Sequence, residues 1–160
     1  MLIPKKSLGQ NFLIDKNIFK KIINLSSIKC KNIIEIGPGT GQLTQEIIKG
    51  NPKKLILIEK DDVLINLLQI KYQGCKNIEF INYDAMSYDF STMSNAIIFS
   101  NLPYNISTKL IFKLLLNFNN INHMIFMIQK EVAEKFDYNK TKKINKNNFF
   151  IFNSCFYKNV

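Results

Sequence analysis

The chain has 160 residues, of which 46% are hydrophobic, and its 22 lysines and 12 acidic residues give a formal net charge of +10. This length fits one globular domain with a single well-buried core. No apolar run approaches the ~20 residues that span a membrane, and the N-terminus lacks the apolar core of a signal peptide, so we expect a cytoplasmic protein. Cys30, Cys75 and Cys155 are scattered without a C-x-x-C pair, which disfavours a disulfide framework or a structural zinc site.

The positive charge comes entirely from lysine, because the chain contains no arginine. An excess of lysine over acidic residues predicts a polyanionic partner, although a solvated, soluble surface would have the same composition. Lysine lacks the bidentate fork with which arginine recognises phosphate and guanine. We therefore expect point-charge contacts that are mostly independent of nucleotide sequence.

Hydrophobic periodicity along the chain alternates between helices and strands. The first helix is predicted from Asp15, a suitable N-cap, with apolar positions at helical spacing as far as residue 25. The predicted strands are 32–36, 55–58, 78–81, 96–100 and 123–128, and the further predicted helices are 43–48, 63–70, 106–118 and 130–136. Strands alternating with helices indicate β-α-β units, so the predicted fold class is a Rossmann-like α/β domain with a parallel sheet and helices on both faces.

Polar residues follow four of the predicted strands. Gly37 follows the first strand, Glu59 the second, Asp84 the third and Asn101 the fourth. Ligands of open parallel sheets bind beyond the carboxyl ends of the strands. We therefore expect these four residues to line one binding site.

The loop 35–41 (EIGPGTG) joins the first strand to a helix, and its glycines allow a ligand to approach the backbone N–H groups at the helix N-terminus. The spacing is G-x-G-x-G rather than the G-x-G-x-x-G of dinucleotide sites, and no basic residue follows to meet a pyrophosphate. Glu59, 22 residues after Gly37, is placed to bind ribose hydroxyls, and Asp84 to accept from an adenine amine. These features predict a nucleoside without phosphates, such as S-adenosylmethionine, held by Gly37, Gly39, Glu59 and Asp84 with Glu35 near its sulfonium. The alternative is a tight turn flanked by solvated strand ends.

Asn101, Leu102, Pro103 and Tyr104 combine a side-chain amide, a rigid imide and an aromatic ring after a buried strand. The amide oxygen of Asn101 can accept an N–H, and the Tyr104 ring can stack on a flat base. Pro103 fixes φ and contributes no N–H of its own. The motif predicts a pocket for the exocyclic amine of a nucleobase, and the alternative is an ordinary strand-to-helix turn.

Six stretches together resemble the ribosomal RNA adenine dimethyltransferase family, and more closely its small-subunit branch. They are 5–13 (KKSLGQNFL), 35–41, 59–61 (EKD), Asp84, 101–108 (NLPYNIST) and 129–134 (QKEVAE). The resemblance implies S-adenosylmethionine as cofactor, contacted by Asn11, Leu13, Gly37, Glu59, Asp84 and Asn101. It implies that residues 101–104 hold an adenine flipped out of its stack while its N6 is methylated twice.

The implied partner is ribosomal RNA in the small subunit, and we expect a monomer that uses neither metal nor membrane. Two alternatives remain at this stage. One is a non-catalytic RNA-binding assembly factor that keeps the fold, which the net charge of +10 would suit. The other is an inactive truncated fragment.

The C-terminal part departs from the family pattern. We expect one domain over 1–160, with a basic loop followed by a poorly defined tail over 137–160. Residues 149–152 have the aromatic and β-branched composition of a strand, but the resemblance predicts a helix over 149–156. It also predicts that the last two strands and a small helical C-terminal domain are missing, which would leave the fifth strand as an exposed edge.

Overall fold

A computed structural model describes residues 16–102, 104–116, 121–128, 149–153 and 156–159. Its helices are α1 (Lys16–Ile23), α2 (Gln42–Lys49), α3 (Asp62–Lys71) and α4 (Tyr104–Leu115). Its strands are β1 (Asn32–Ile36), β2 (Lys54–Glu59), β3 (Ile78–Asn82), β4 (Ala96–Asn101), β5 (Ile121–Met127), β6 (Phe149–Asn153) and β7 (Phe156–Asn159). The predicted helix over 130–136 and the predicted basic loop over 137–148 lie outside the described residues.

The seven strands form one sheet in the order β3-β2-β1-β4-β5-β6-β7. The pairs from β3 to β5 are all parallel, which confirms the predicted Rossmann-like architecture. The central strands β1 and β4 are buried over nearly their whole length. Such continuous burial is typical of a parallel strand that is covered by helices on both faces.

Two apolar layers cover the faces of the sheet. On one face, Leu110, Ile111 and Leu114 of α4 pack against strand residues that include Ile34 and Ile98. On the other face, residues from three helices pack against strand residues such as Ile33, Leu57 and Phe99. These helix residues are Phe19 and Ile22 of α1, Leu43 and Ile47 of α2, and Leu68 of α3. Helices therefore cover both faces, and the carboxyl ends of the strands meet at one edge between them.

The strand composition of residues 149–152 is confirmed, whereas the predicted helix over 149–156 and the predicted exposed edge at β5 are wrong. β6 pairs antiparallel with β5, and β7 pairs antiparallel with β6, so β5 is an interior strand and the sheet continues by two strands. The expected helix over 149–156 is absent where the structure describes these residues, since 149–153 form a strand. The unpaired backbone groups of β5 would otherwise stay exposed, and aromatic and β-branched residues favour the extended conformation.

Within the described ranges, no helix is both long enough and apolar enough to span a bilayer.

Candidate active site

The residues predicted at the carboxyl ends of the strands lie along one edge of the sheet. Ile36, the last residue of β1, pairs with Ile58 of β2 and with Ser100 of β4, and Glu59 pairs with Asn82 of β3. The strand order therefore places Asp84, Glu59, Gly37 and Asn101 in this sequence along the edge. Neighbouring strands are about 4.8 Å apart, so the row spans roughly 14 Å, the scale of an extended nucleoside derivative.

The glycine turn after β1 depends on backbone conformations that favour glycine. Gly37, Gly39 and Gly41 have φ values of +66°, +59° and +79°. The Gly37 N–H donates to the Ile58 carbonyl at 2.9 Å, which fixes the start of the turn to β2. A Cβ at Gly37 would meet no atom within 4 Å, whereas one at Gly41 would lie 2.6 Å from Leu68 Cδ2. Gly41 thus allows α2 to pack against α3, and Gly37 leaves open space beside the strand ends.

Glu59 is held in one orientation by the backbone. Its side chain is buried, and its two oxygens accept from the Gly39 N–H at 3.2 Å and from the Asp61 N–H at 2.9 Å. Burial raises the pKa of Glu59, and these backbone N–H groups oppose that shift. Each carboxylate oxygen has a second lone pair, so Glu59 can also accept hydrogen bonds from the hydroxyls of a ligand.

Asp84 is an ionised acceptor at the β3 end of the row. The Lys60 Nζ donates to its Oδ2 at 2.7 Å, and the Met86 N–H donates to its Oδ1 at 2.9 Å. The hydrogen bond from Lys60, followed by that from Met86, lowers the pKa of Asp84. Its carboxylate can therefore accept from an amine over the whole neutral pH range.

Glu35 does not supply the negative charge that was expected near a sulfonium. Its side chain is 1% exposed and accepts a hydrogen bond from Thr44 Oγ1 at 2.6 Å. Desolvation by burial raises the pKa of Glu35 to about 8, against the lowering effect of the Thr44 hydrogen bond. Glu35 is therefore mostly neutral at pH 7, and its role is to join β1 to α2.

The motif that was predicted to hold a base begins at the end of β4. The Ser100 Oγ donates to the Ile36 carbonyl at 2.5 Å, and the Leu102 N–H donates to the Met127 carbonyl at 3.0 Å. These bonds attach the motif to β1 on one side and to β5 on the other. Leu102 is buried and Asn101 is partly exposed, so Asn101 presents a polar group at the edge of the sheet.

The structure therefore brings together five of the predicted site residues. Most of the others lie outside the described residues. Gly37, Gly39, Glu59, Asp84 and Asn101 lie on the shared edge, and Leu102 follows directly. Asn11, Leu13 and Pro103 lie outside the described residues, as does the side chain of Tyr104, whose backbone starts α4.

Sequence reasoning missed the residues that hold the turns of this site in place through hydrogen bonds to other elements. Lys113 of α4 donates to the Met86 carbonyl at 2.7 Å and lies 5.5 Å from the centre of the Phe90 ring. It therefore attaches the turn after Asp84 to the helix that starts at Tyr104. The pairs Lys60–Asp84 and Thr44–Glu35 were missed as well. Spacing along the chain gives no signal for contacts between separate elements. The only available signal was Lys60, which follows Glu59 directly in the sequence.

Comparison with known proteins gives a consistent result. A family model described as ribosomal RNA adenine dimethylase matches residues 2–146. Ribosomal RNA small subunit methyltransferase A of Pelagibacter ubique is 46% identical over 136 residues, covering 82% of this chain and 51% of that protein. The protein of the same name from Hydrogenobaculum is 43% identical, covering 84% of this chain and 53% of that protein. The chain thus spans about half the length of the curated relatives it matches.

Solved structures show the same relationship. A dimethyladenosine transferase from Plasmodium falciparum has a TM-score of 0.69 and 34% identity, covering 78% of this chain and 46% of that one. The 23S rRNA methyltransferase ErmE has a TM-score of 0.69 and 27% identity, covering 78% of this chain and 50% of that one. The sequence matches and the fold matches therefore agree with each other. The chain belongs to the ribosomal RNA adenine dimethylase family.

Proposed function

We propose that this chain carries the catalytic site of an S-adenosylmethionine-dependent methyltransferase that dimethylates N6 of adenines in small-subunit ribosomal RNA. The observation that carries the proposal is the row of Asp84, Glu59, Gly37 and Asn101 along one sheet edge, in a chain of this family. The relatives named as small-subunit methyltransferases support the choice of substrate.

The residues of the edge fit S-adenosylmethionine. The ionised Asp84 would accept from the adenine amine of the cofactor, and the fixed carboxylate of Glu59 would accept from its ribose hydroxyls. The open space at Gly37 would admit the methionine part against bare backbone. Asn11 and Leu13 would complete this set, as the family resemblance implies. When bound, the cofactor supplies an electrophilic methyl group on a sulfonium.

The motif at the end of β4 would hold the target base. Asn101 Oδ1 and the Leu102 carbonyl would accept the two N6 hydrogens of a flipped adenine. Accepting both hydrogens favours a pyramidal nitrogen, whose lone pair then points out of the ring plane. Tyr104 would stack on the base, a contact worth about 1–3 kcal/mol at other single-stranded sites. Pro103 would keep the turn rigid between these groups.

Catalysis would then depend on positioning. With the cofactor bound, the N6 lone pair would bond to its methyl carbon as the bond from sulfur to that carbon breaks, and the N6 proton would pass to water. Aligning the reacting atoms converts a bimolecular encounter into an effectively unimolecular step. The hydrogen bonds from Ser100 to β1 and from Leu102 to β5 would provide the rigidity that this alignment needs.

The proposal includes the setting of the reaction. The substrate is ribosomal RNA in the small subunit, and the net charge of +10 favours association with such a polyanion. We place the protein in the cytoplasm, and we propose that it acts as a monomer without a metal ion.

Labelled S-adenosylmethionine and immature small ribosomal subunits provide the test. We expect label in N6,N6-dimethyladenosine after the RNA is digested to nucleosides. A folded protein that transfers no label to adenine would contradict the proposal. If such a protein still bound RNA in a salt-sensitive way, the chain would be a non-catalytic RNA-binding factor.

A further inference from the structure

The opposite edge of the sheet, where the parallel strands begin, has a very different surface. Lys31 directly precedes β1, Lys53 directly precedes β2, and Lys76 lies two residues before β3. Lys29 lies in the same turn as Lys31. All four side chains are exposed, and we call this group the basic platform. Because parallel strands share their starting edge, lysines that are far apart in the sequence become neighbours there.

Backbone hydrogen bonds join the turns that carry the platform. The Lys53 N–H donates to the Lys31 carbonyl at 2.8 Å, and the Leu55 N–H donates to the Asn77 carbonyl at 2.9 Å. The Cys30 N–H also donates to the Asn51 carbonyl, at 3.0 Å. The three turns therefore form one connected surface with fixed spacing. The cationic groups need little backbone ordering when they bind a partner.

The described residues around the platform form no ion pair with its lysines. Among the residues that the structure describes, no carboxylate lies within 4.0 Å of the ammonium group of any of its four lysines. The neighbouring Lys54 differs, since it lies 2.6 Å from Glu79. Uncompensated ammonium groups at fixed positions are suited to phosphates, which lysine contacts as a point charge without reading bases.

The platform is remote from the proposed catalytic edge. Gly37 lies six positions after Lys31 along β1, and a strand rises about 3.3 Å per residue, so the two edges are roughly 20 Å apart. A nucleotide bound at Asn101 and its immediate neighbours cannot reach that far. A folded RNA can reach the platform with a second arm that extends to the amino-terminal edge of the sheet.

We propose that the basic platform binds the phosphate backbone of a duplex arm of the RNA substrate, at a surface separate from the methyl-transfer site. The identification of the arm as substrate rests on the proposed function. The platform would then select large structured RNA over short oligonucleotides. Its contribution would be affinity, while the choice of adenine would stay with the carboxyl edge.

The test compares two quadruple variants of the chain. One replaces Lys29, Lys31, Lys53 and Lys76 by Gln, and the other replaces the same residues by Arg and keeps the charge. The probe is a fluorescent RNA hairpin with a duplex stem and a single-stranded loop, titrated at several salt concentrations. Each phosphate contact adds roughly 0.7–0.9 to the slope of log affinity against log salt, so we expect the Gln variant to lose about 3 units of slope and at least about tenfold in affinity. The Arg variant should match the wild type.

Two controls test the platform independently of the proposed function. Both variants should bind S-adenosylhomocysteine as the wild type does, which shows that the site and the fold are intact. Methyl transfer to a short single-stranded oligonucleotide should be unchanged in the Gln variant, while transfer to the hairpin should show a raised KM. If the wild type transfers no methyl group but the Gln variant loses salt slope, the proposed function fails and the platform stands.

An unchanged salt slope in a folded Gln variant would overturn the proposal. The same conclusion follows if the Gln variant keeps RNA binding but loses binding to phosphatidylserine vesicles or to polyglutamate. In that case the platform would serve a membrane surface or an acidic protein.

Discussion

The two edges of the parallel sheet present different charged groups and are built in different ways. At the carboxyl edge, Glu59 accepts from backbone N–H groups of its own turn and of the glycine turn, and Asp84 accepts from its own turn and from Lys60. At the amino edge, backbone N–H groups bond to carbonyls, and the lysine side chains extend into solvent. The carboxylates at one edge suit the amine and hydroxyl donors of a nucleoside, whereas the lysines at the other edge suit phosphate. A parallel sheet can therefore separate chemistry from anchoring, because it collects all strand ends of one polarity on one side.

We expect the largest effect when the amide at the carboxyl edge is removed. We expect Asn101→Ala to slow methyl transfer about 100-fold to 1000-fold, because one acceptor for the N6 hydrogens is lost from a preorganised site. Single-turnover assays with labelled cofactor measure this. Asn122→Ala, at an exposed position near the start of β5, is the matched control and should stay within about twofold of the wild type. Equal losses in both variants would show that the two edges do not differ in the way described.

The orientation of Glu59 gives the next largest effect. Glu59→Gln would replace one of its two accepting oxygens by an amide N–H₂, which then faces the N–H of Gly39 or of Asp61. An unsatisfied buried donor costs about 1–3 kcal/mol, so we expect the affinity for S-adenosylhomocysteine to fall about 10-fold to 100-fold in calorimetric titrations. Glu79→Gln removes an exposed carboxylate that pairs with Lys54 and should leave this affinity unchanged. A Glu59 variant with wild-type affinity would exclude it from the cofactor site.

The protonated state of Glu35 predicts a dependence of stability on pH. Its pKa rises from 4.5 to about 8 on burial, so the folded chain keeps a proton that the unfolded chain releases. Because the folded state binds more protons between these values, the free energy of unfolding should fall as the pH rises from 4.5 to about 8. Glu35→Gln should remove a decline of up to about 1.4 kcal/mol per pH unit within this range, as measured by urea unfolding at each pH. Glu79→Gln should retain the decline, and a decline of equal size in both variants would show that other groups cause it.

The smallest expected effect comes from filling the open space at Gly37. An alanine there keeps φ near +66°, which costs about 1 kcal/mol of stability, and its methyl group enters the space proposed for the cofactor. We expect affinity for S-adenosylhomocysteine to fall about tenfold, equivalent to about 1.4 kcal/mol. Gly74→Ala is the matched control, since a Cβ there also meets no atom within 4 Å but lies outside the proposed site. If the two alanine variants bound S-adenosylhomocysteine equally well, the cofactor would not use the space at Gly37.

Apolar periodicity alone predicted most of the parallel part of the fold. The pattern of apolar residues predicted β1 with the bounds that the structure shows, and it predicted β2 to β5 to within two residues. It also placed Gly37, Glu59, Asp84 and Asn101 at strand ends, because polar residues after a buried run are visible without any tertiary information. The family was identifiable from motifs such as 5–13 and 101–108.

Tertiary structure decided the properties that depend on contacts between residues distant in the sequence. The strand composition of residues 149–152 became an antiparallel strand because β5 offered an open edge, against the helix that the resemblance predicted. Glu35 became neutral because it is almost fully buried, in spite of the hydrogen bond from Thr44, and no local pattern indicates that burial. The lysines of the basic platform became one surface because β1, β2 and β3 start at the same edge. Local patterns specify periodicity and polarity, whereas burial, protonation and surface charge depend on which elements pack together.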